Sequence, residues 1–486
     1  MQFRHGLRVN EIDSGEKSYL SLKTPVVVIG AAPINMGDLT CINEPILIQN
    51  KEEATKYFGG VNNIKGFNIS ETLYTAFQLF GVSPVICINV LDPAKHSEVE
   101  IIQDIIAKNA TVKIERTGVL PDGIIITRMN SAKEGEKTSP IPQYETSFDD
   151  NGYIDIHFES EITDPLSISV KKLNPELVQA SDIIGKVDIN TLKKEGLEVV
   201  DDIFSKYSVI PGMGIAPGYT HDNELRTIMN TKFQDVNGGK WKSIIIADIP
   251  ETTKYGDAIK WKKENNAIDP EQILCYGKGV LGDQVLHLST LVACELLRGN
   301  AVNDGVPCDS PSNKAAKISK IVYKDAATKK YMDISLDEKQ AELLNENGIL
   351  TAIQTTGGFV FWGNRTSAFQ PGGTTEKKDI WIHAKRMIQF ICNTIAINNQ
   401  NEVDKKMPIT RVIAIRDNLN QWLSSLKSEE KILGARVEFK KIDNPGENVA
   451  NGKFVWFIAF GDIPIGENLN FNVMNSSEFA KEIYQL

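Results

Sequence analysis

Two glycine-rich runs are the first places to look for chemistry, because closely spaced glycines let a backbone wrap a phosphate. They are Gly212-Met213-Gly214-Ile215-Ala216-Pro217-Gly218 and Gly277-Lys278-Gly279-Val280-Leu281-Gly282. The second has the bare G-x-G-x-x-G spacing of a dinucleotide turn, and the acidic residue that such a site places about 20 positions on would be Asp304. Asp304 lies in a Gly/Pro loop and not at a strand end. Neither run is a P-loop, so both read as loop glycines that permit a turn. The histidines His5, His96, His157, His221, His287 and His383 stand singly, with no H-E-x-x-H and no Cys/His cluster that would assemble zinc. His287 and His383 are expected on helix faces as partly buried polar contacts. There is no G-x-S-x-G elbow, and a Ser/His/Asp triad built from distant residues would leave no signature at this level. The carboxylate pairs Asp201-Asp202 and Glu429-Glu430 are adjacent, so on a helix they diverge into solvent. Lys260-Trp261-Lys262-Lys263 mixes an aromatic with cations, as a phosphate-contacting patch would, but Asp257 and Glu264 flank it and it reads as the wet face of a helix. The search yields no catalytic residue, no cofactor and no metal, which favours a structural or binding role.

Composition sets compatible limits. A chain of 486 residues is too long for one ordinary core and implies roughly two to four domains. Apolar residues make up 41% and charged residues 24%, so neither wholesale disorder nor a membrane protein is indicated. The longest apolar runs, 25–32 and 455–460, fall far short of the ~20 residues a spanning helix needs. Met1-Gln2-Phe3-Arg4-His5-Gly6 lacks the apolar stretch of a signal peptide, so synthesis and retention in a cytoplasm are expected. Cys41, Cys87, Cys275, Cys294, Cys308 and Cys392 lie far apart and read as small buried thiols. A net charge of −10 argues against a general nucleic-acid surface.

The elements form an α/β pattern. Residues 1–20 alternate, with Phe3, His5, Leu7 and Val9 on one side and Gln2, Arg4, Arg8 and Asn10 on the other. Leu469, Phe471 and Val473 alternate with asparagines near the other end. A lone terminal strand must pair with some sheet edge, in its own chain or another. Between these arms, the apolar runs 25–30, 84–90, 209–214 and 243–248 read as strands of a buried, mostly parallel sheet. Helices are expected from Ser70 as N-cap, over 257–263, over 284–298, over 337–344, and at 381–398 and 409–426. The texture of 110–200 is short strands between Asn-Gly, Asp-Gly and Pro turns, a β-rich insertion. The fold expected is therefore α/β, with mixed-sheet core domains, a β-rich insertion and extended N- and C-terminal strand arms. Its divisions are 1–20, a core of 21–109 and 201–370, an inserted domain at 110–200, a C-terminal α/β domain at 371–466 and an arm at 467–486.

An ordered series of short motifs resembles the tail sheath proteins of myophages, R-type bacteriocins and phage-derived contractile injection machines. His5-Gly6-Leu7-Arg8-Val9-Asn10-Glu11-Ile12 is similar to the family's opening, Asn43-Glu44-Pro45-Ile46-Leu47-Ile48 to an early strand, and Pro311-Ser312-Asn313-Lys314 to its P-[AS]-N-K. Leu344 through Thr366, with Gly348, Phe361, Trp362, Gly363 and Arg365 at its centre, resembles LN..G...I....G...WG.RT. Gly452-Lys453, Ile463-Pro464 and Glu467-Asn468-Leu469 look like the closing stretch. Each is weak alone; their order over residues 5–473 carries the likeness, and 110–200 has no counterpart in it.

The resemblance implies a mechanical function: a sheath that polymerises helically around an inner tube and contracts. Phe3, Leu7, Val9, Ile12, Leu469, Phe471 and Val473 would be arms that add as strands to neighbours, received by a hairpin carrying Val437, Phe439, Phe454 and Trp456. Pairing of both arms within their own chain remains open. Lys385, Arg386, Arg416 and Lys427, with Arg411, would face the inner tube. Phe361 and Trp362 would pack as core and Arg365 would pin a junction. Implied partners are the chain itself in stacked hexameric rings, the inner tail tube protein, and baseplate and tail terminator proteins, with no nucleic acid and no membrane. Assembly would take place in a bacterial host cytoplasm. A cytoplasmic α/β enzyme with an unrecognised site and a homopolymer that does not contract stay open as alternatives.

Overall fold

The computed structural model describes residues 24–62, 65–129, 140–373, 375–476, 478, 479 and 483. The first arm, with Phe3, Leu7, Val9 and Ile12, lies outside them. The chain divides into two compact units, Met1–Met407 and Pro408–Leu486.

In chain order the strands of the first unit are β1 (Val26–Gly30), β2 (Pro45–Ile48), β3 (Val85–Asn89), β4 (Ser97–Ile105), β5 (Thr111–Ile114), β6 (Val119–Arg128), β7 (Tyr144–Phe148), β8 (Ile154–Phe158) and β9 (Leu166–Leu173). They continue as β10 (Met213–Ile215), β11 (Ile244–Asp248), β12 (Gln272–Cys275), β13 (Lys278–Leu281), β14 (Gln284–His287), β15 (Lys320–Lys324), β16 (Tyr331–Asp333), β17 (Ile349–Thr355) and β18 (Gly358–Trp362). The second unit holds β19 (Gly434–Glu438) and β20 (Phe457–Gly461).

Eight strands form one sheet in the order β18-β17-β12-β11-β10-β1-β3-β2. The central pairs are parallel; β2 and β18 close the edges antiparallel. Every residue of β1, β3 and β11 is buried, as continuous β-branched runs covered on both faces require. Helix starts differ from the sequence reading. The helix expected from Ser70 begins at Asn68, whose side chain accepts from Ala31 N at 2.7 Å and donates to Pro217 O at 3.0 Å, so Ser70 lies inside it and buried. Residues 284–287 are not helical but pair antiparallel with β13, and the helix proper is Leu288–Val302. The helix Glu338–Asn345 is closed at its start by Asp337, which accepts from Gln340 N at 2.8 Å while its own N–H is returned a bond by Gln340 Oε1 at 3.0 Å.

The β-rich insertion is shifted from the expected 110–200. Two three-stranded sheets, β4-β9-β6 and β5-β8-β7, share an apolar core of Val112, Ile114, Ile154, Ile156, Leu166, Ile168 and Val170. β4 belongs to it because it pairs with β9 from Ser97 onward, whereas the stretch after β9 holds short helices that return to the main sheet.

The boundary expected at 371 falls at 407/408. The long helix Ile382–Asn399 belongs to the first unit, where Gln389 Nε2 donates to Ser243 O at 2.9 Å and Asn393 Oδ1 accepts from Lys242 N at 2.9 Å. The second unit packs Val412, Leu419, Leu423 and Leu426 of the helix Ile409–Ser428 into its own small core with Ile432 and Val437.

Candidate functional site

The stretch 344–366 is a junction. Gly348 follows the helix Glu338–Asn345 with φ +63°, and a Cβ there would stand 2.5 Å from Thr366 O. Gly363 has φ +134°, and a Cβ would run into the Asn345 amide at 2.6 Å. Beneath them Lys262 is buried and donates to Asn347 O and, at 3.2 Å, to Phe369 O. Burial, with Lys263 beside it, pushes the Lys262 ammonium down to about 7. This corrects the reading of residues 260–263 as a wet face: Lys260 is exposed, but Lys262 points into the protein. Arg365 lies over Phe369 at 4.0 Å and Trp381 at 5.3 Å, and Phe361 is fully buried while Trp362 is half-buried. Thr366 is buried, donating its N–H to Ile380 O at 2.8 Å and its hydroxyl to Asp379 O. Ser367, equally buried, accepts from Asp269 N at 3.0 Å and Gln272 Nε2 at 3.1 Å. These bonds tie β12 and the loop after β18 to the short helix Lys377–Ile380; they offer anchorage, not a nucleophile.

Two proposed tube contacts are part of the same weld. Lys385 is buried between Asp379, at 2.7 Å, and Glu271. Burial alone would push its ammonium down, but the two carboxylates outweigh it and hold it above the usual lysine range. Arg386 is 5% exposed and donates to Asn300 Oδ1 at 2.8 Å, with burial pushing its guanidinium down to about 10. Neither side chain is on an outer surface, so the expectation that they meet a tube is corrected. The family resemblance placed them toward a tube; Asp379 and Glu271 around Lys385, and Asn300 against Arg386, hold them inside the first unit. Arg416 is half-buried and paired with Asp417 at 2.7 Å, while Lys427 is exposed in the last turn of its helix.

A cleft of about 1400 Å³ opens at the C-terminal ends of the parallel strands, beside the β1/β10 switch point where an α/β enzyme would keep its site. Several of its charged groups are engaged in holding the fold. Glu71 accepts from His287 N at 2.6 Å and lies 2.9 Å from His287 Nδ1. Burial raises the Glu71 carboxyl, yet His287 more than offsets it and holds the group below its ordinary value. Asp248, pushed up by burial, accepts from Ser289 N at 2.9 Å, and Lys278 pairs with Glu251 at 3.0 Å. The glycine runs serve packing here: a Cβ at Gly214 would meet the Phe233 ring, and one at Gly279 would meet Ile318 and Leu291. Among the described residues no group of three His, Cys, Asp or Glu side chains is placed to hold a metal ion.

The second unit carries the feature that composition could not show. β19 and β20 make a two-stranded sheet. Asn420, from the helix Ile409–Ser428, takes both backbone groups of Val437, accepting from its N–H at 2.9 Å and donating to its C=O at 3.3 Å. The middle of β19 is therefore covered by a side chain. Among the described residues, β20 pairs only with β19, so its other edge is open. Phe439, Phe454 and Trp456 lie just beyond the ladder as an aromatic cluster with centroids 5.4–6.5 Å apart. Of the four residues expected on the hairpin, only Val437 is in a strand; β20 starts at Phe457 because Asn444 holds Val455 by two 2.8 Å bonds in a separate turn. Among the described residues no strand follows β20, and Leu469, Phe471 and Val473 are 70%, 83% and 94% exposed. Three large apolar side chains in alternate positions, all in water, are costly for a chain by itself.

No protein-family model matches the chain. It is 22% identical over 490 residues to the tail sheath protein of Burkholderia phage BcepMu, covering 98% of each. Over 139 residues it is 31% identical to the tail sheath protein of Escherichia phage P2, spanning 29% of this chain and 33% of that relative. In structure it superposes on a chain of the contracted sheath complex of an extracellular contractile injection system, PVC, with a TM-score of 0.58 at 12% identity, covering 99% of both. At that identity the superposition shows a shared fold.

Proposed function

We propose, for a chain that belongs to the contractile tail sheath family, that its terminal residues link copies of it by strand addition. The chain is a structural subunit of a phage tail or related contractile particle, and its relatives are structural proteins by name. No described helix is long and apolar enough to cross a membrane. The observation that carries the linkage is the pairing of one open edge, on β20, with one exposed alternating segment, Leu469 to Val473, in the same unit. Main-chain bonds along β20 would give strength, and Leu469, Phe471 and Val473 would set register against the aromatic cluster.

Head-to-tail addition that does not close on itself generates a helix, so copies joined in this way would build rings stacked along a tail axis, with hexameric rings as the family's form. Phe3, Leu7, Val9 and Ile12 would supply the second arm. The inner tail tube, baseplate and terminator proteins are the proposed partners, with Arg416, Lys427 and Arg411 of the helix Ile409–Ser428 as the cations proposed to face the tube. Assembly would occur in the host cytoplasm, before release of the particle.

Electron microscopy of purified subunits tests the linkage. Protein lacking residues 467–486 is expected to keep the circular dichroism of the intact chain and to form no tubes, and so is protein lacking residues 1–14. Tubes of normal diameter from either truncation would mean that the missing arm does not join subunits. Tubes in one length only would favour the polymer that does not contract.

A further inference from the structure

Arg386 points to a site that the sheath role does not call for. It lines a cavity of about 110 Å³ between the C-terminal half of the helix Leu288–Val302, the loop 309–314 and the helix Ile382–Asn399. A guanidinium has five N–H donors, and among the described residues Asn300 Oδ1 takes the one bond found for Arg386. A buried guanidinium so thinly satisfied is costly unless something else meets it.

The rest of the lining is arranged for an anion. Lys314 reaches the cavity from the loop, with Asp309 at 3.8 Å, beyond hydrogen-bond length. Ser310 accepts from Ser312 N at 3.1 Å, which leaves its O–H to donate. Of the two carboxylates in the wall, Glu295 is held by Arg298 through bonds of 2.8 and 2.7 Å, while Asp309, which accepts from Asn303 at 3.2 Å, keeps a charge that acts on both Arg386 and Lys314, and the three groups together remain net positive. The helix-end carbonyls that would repel an anion are capped as well, Gly299 O by Asn303 N at 3.1 Å and Asn300 O by Gly305 N at 2.7 Å. Three donor side chains, Arg386 from the helix Ile382–Asn399 and Lys314 and Ser310 from one loop, thus line a space several times the ~30 Å³ share of one water. That space suits one small oxyanion and is too small for a nucleotide.

We propose that this cavity binds a small tetrahedral oxyanion of the inorganic phosphate or sulfate class, with Arg386, Lys314 and Ser310 as its donors. The bound ion would brace the helix Ile382–Asn399 against the loop that carries Pro311-Ser312-Asn313-Lys314.

The test is calorimetric titration of the full-length protein with inorganic phosphate at constant ionic strength, with the thermal midpoint followed in parallel. Saturable binding of one phosphate per chain and a rising midpoint are expected. Lys314→Met, at a side chain 41% exposed, should fold normally and weaken phosphate about tenfold or more, the scale of one charged hydrogen bond. Arg386→Gln should abolish binding; if it fails to fold, Lys314→Met and Ser310→Ala still decide. Heat that grows without saturation, or Lys314→Met binding as tightly as the parent, would overturn the assignment.

Discussion

Lys262 places an amine where water does not reach, with carbonyls as its acceptors, and its ammonium is depressed to about 7 from the ordinary 10.5. The unfolded chain therefore holds a proton on this group up to about pH 10.5 while the folded chain gives it up near 7. Between those values the unfolded state binds more protons, so stability from this residue rises with pH, and its cost is fully present below 7. Thermal unfolding at pH 7 and pH 9 should show the parent gaining more than Lys262→Gln, with a difference on the order of 1–3 kcal/mol; equal gains would place the amine in water. At Gly348, a Cβ would need a left-handed backbone and would stand 2.5 Å from Thr366 O. Gly348→Ala should cost about 2–4 kcal/mol and lower the midpoint of denaturant unfolding. Lys385→Glu would set a third carboxylate beside Glu271 and Asp379, and a loss of about 3–5 kcal/mol is expected, visible as poor soluble yield before any tube is present.

Elements show where sequence was enough and where it was not. The strands of the main sheet were legible because full burial on both faces demands the apolar runs that residues 25–30, 84–90 and 243–248 display. Gln284 to His287 were misread because their apolar residues continue smoothly into the helix behind them, and only pairing with β13 makes them a strand. Arg386 looked like a surface cation for a similar reason: nothing local records that a neighbouring helix and loop close over it. The alternation of Leu469, Phe471 and Val473 is a property of the sequence, with no strand at those residues; the covering of β19 by Asn420 could not be read there, since it needs a residue 17 positions away. Asn420→Ala should expose both backbone groups of Val437 and loosen the second unit by about 1–3 kcal/mol, read by faster amide exchange at Val437. Arg416→Glu with Lys427→Glu should leave folding intact and reduce co-sedimentation with tubes; unchanged co-sedimentation would remove these cations from the interface.

For the whole molecule, the division at 407/408 separates a unit rich in cross-bonded junctions from a smaller one whose described residues form a long helix, a two-stranded sheet with a short helix, Gly446–Ala450, between its strands, and a tail. A contractile device needs parts that keep their internal packing while their mutual placement in the polymer changes. The first unit has the weld for that, around Gly348, Thr366 and Ser367. If coupling between the two sheath states is worth even ~1–3 kcal/mol per subunit, many copies together supply a large driving force.

Asn420 also governs sequence in time. If the proposed arms add as strands, the shield over the middle of β19 would keep them from flanking the hairpin on both sides. The first would then lie along β20, and its own outer edge would give the second somewhere to pair. Growth would follow a fixed order of events at each subunit, and the second arm, coming before the first was in place, would find no berth and be released.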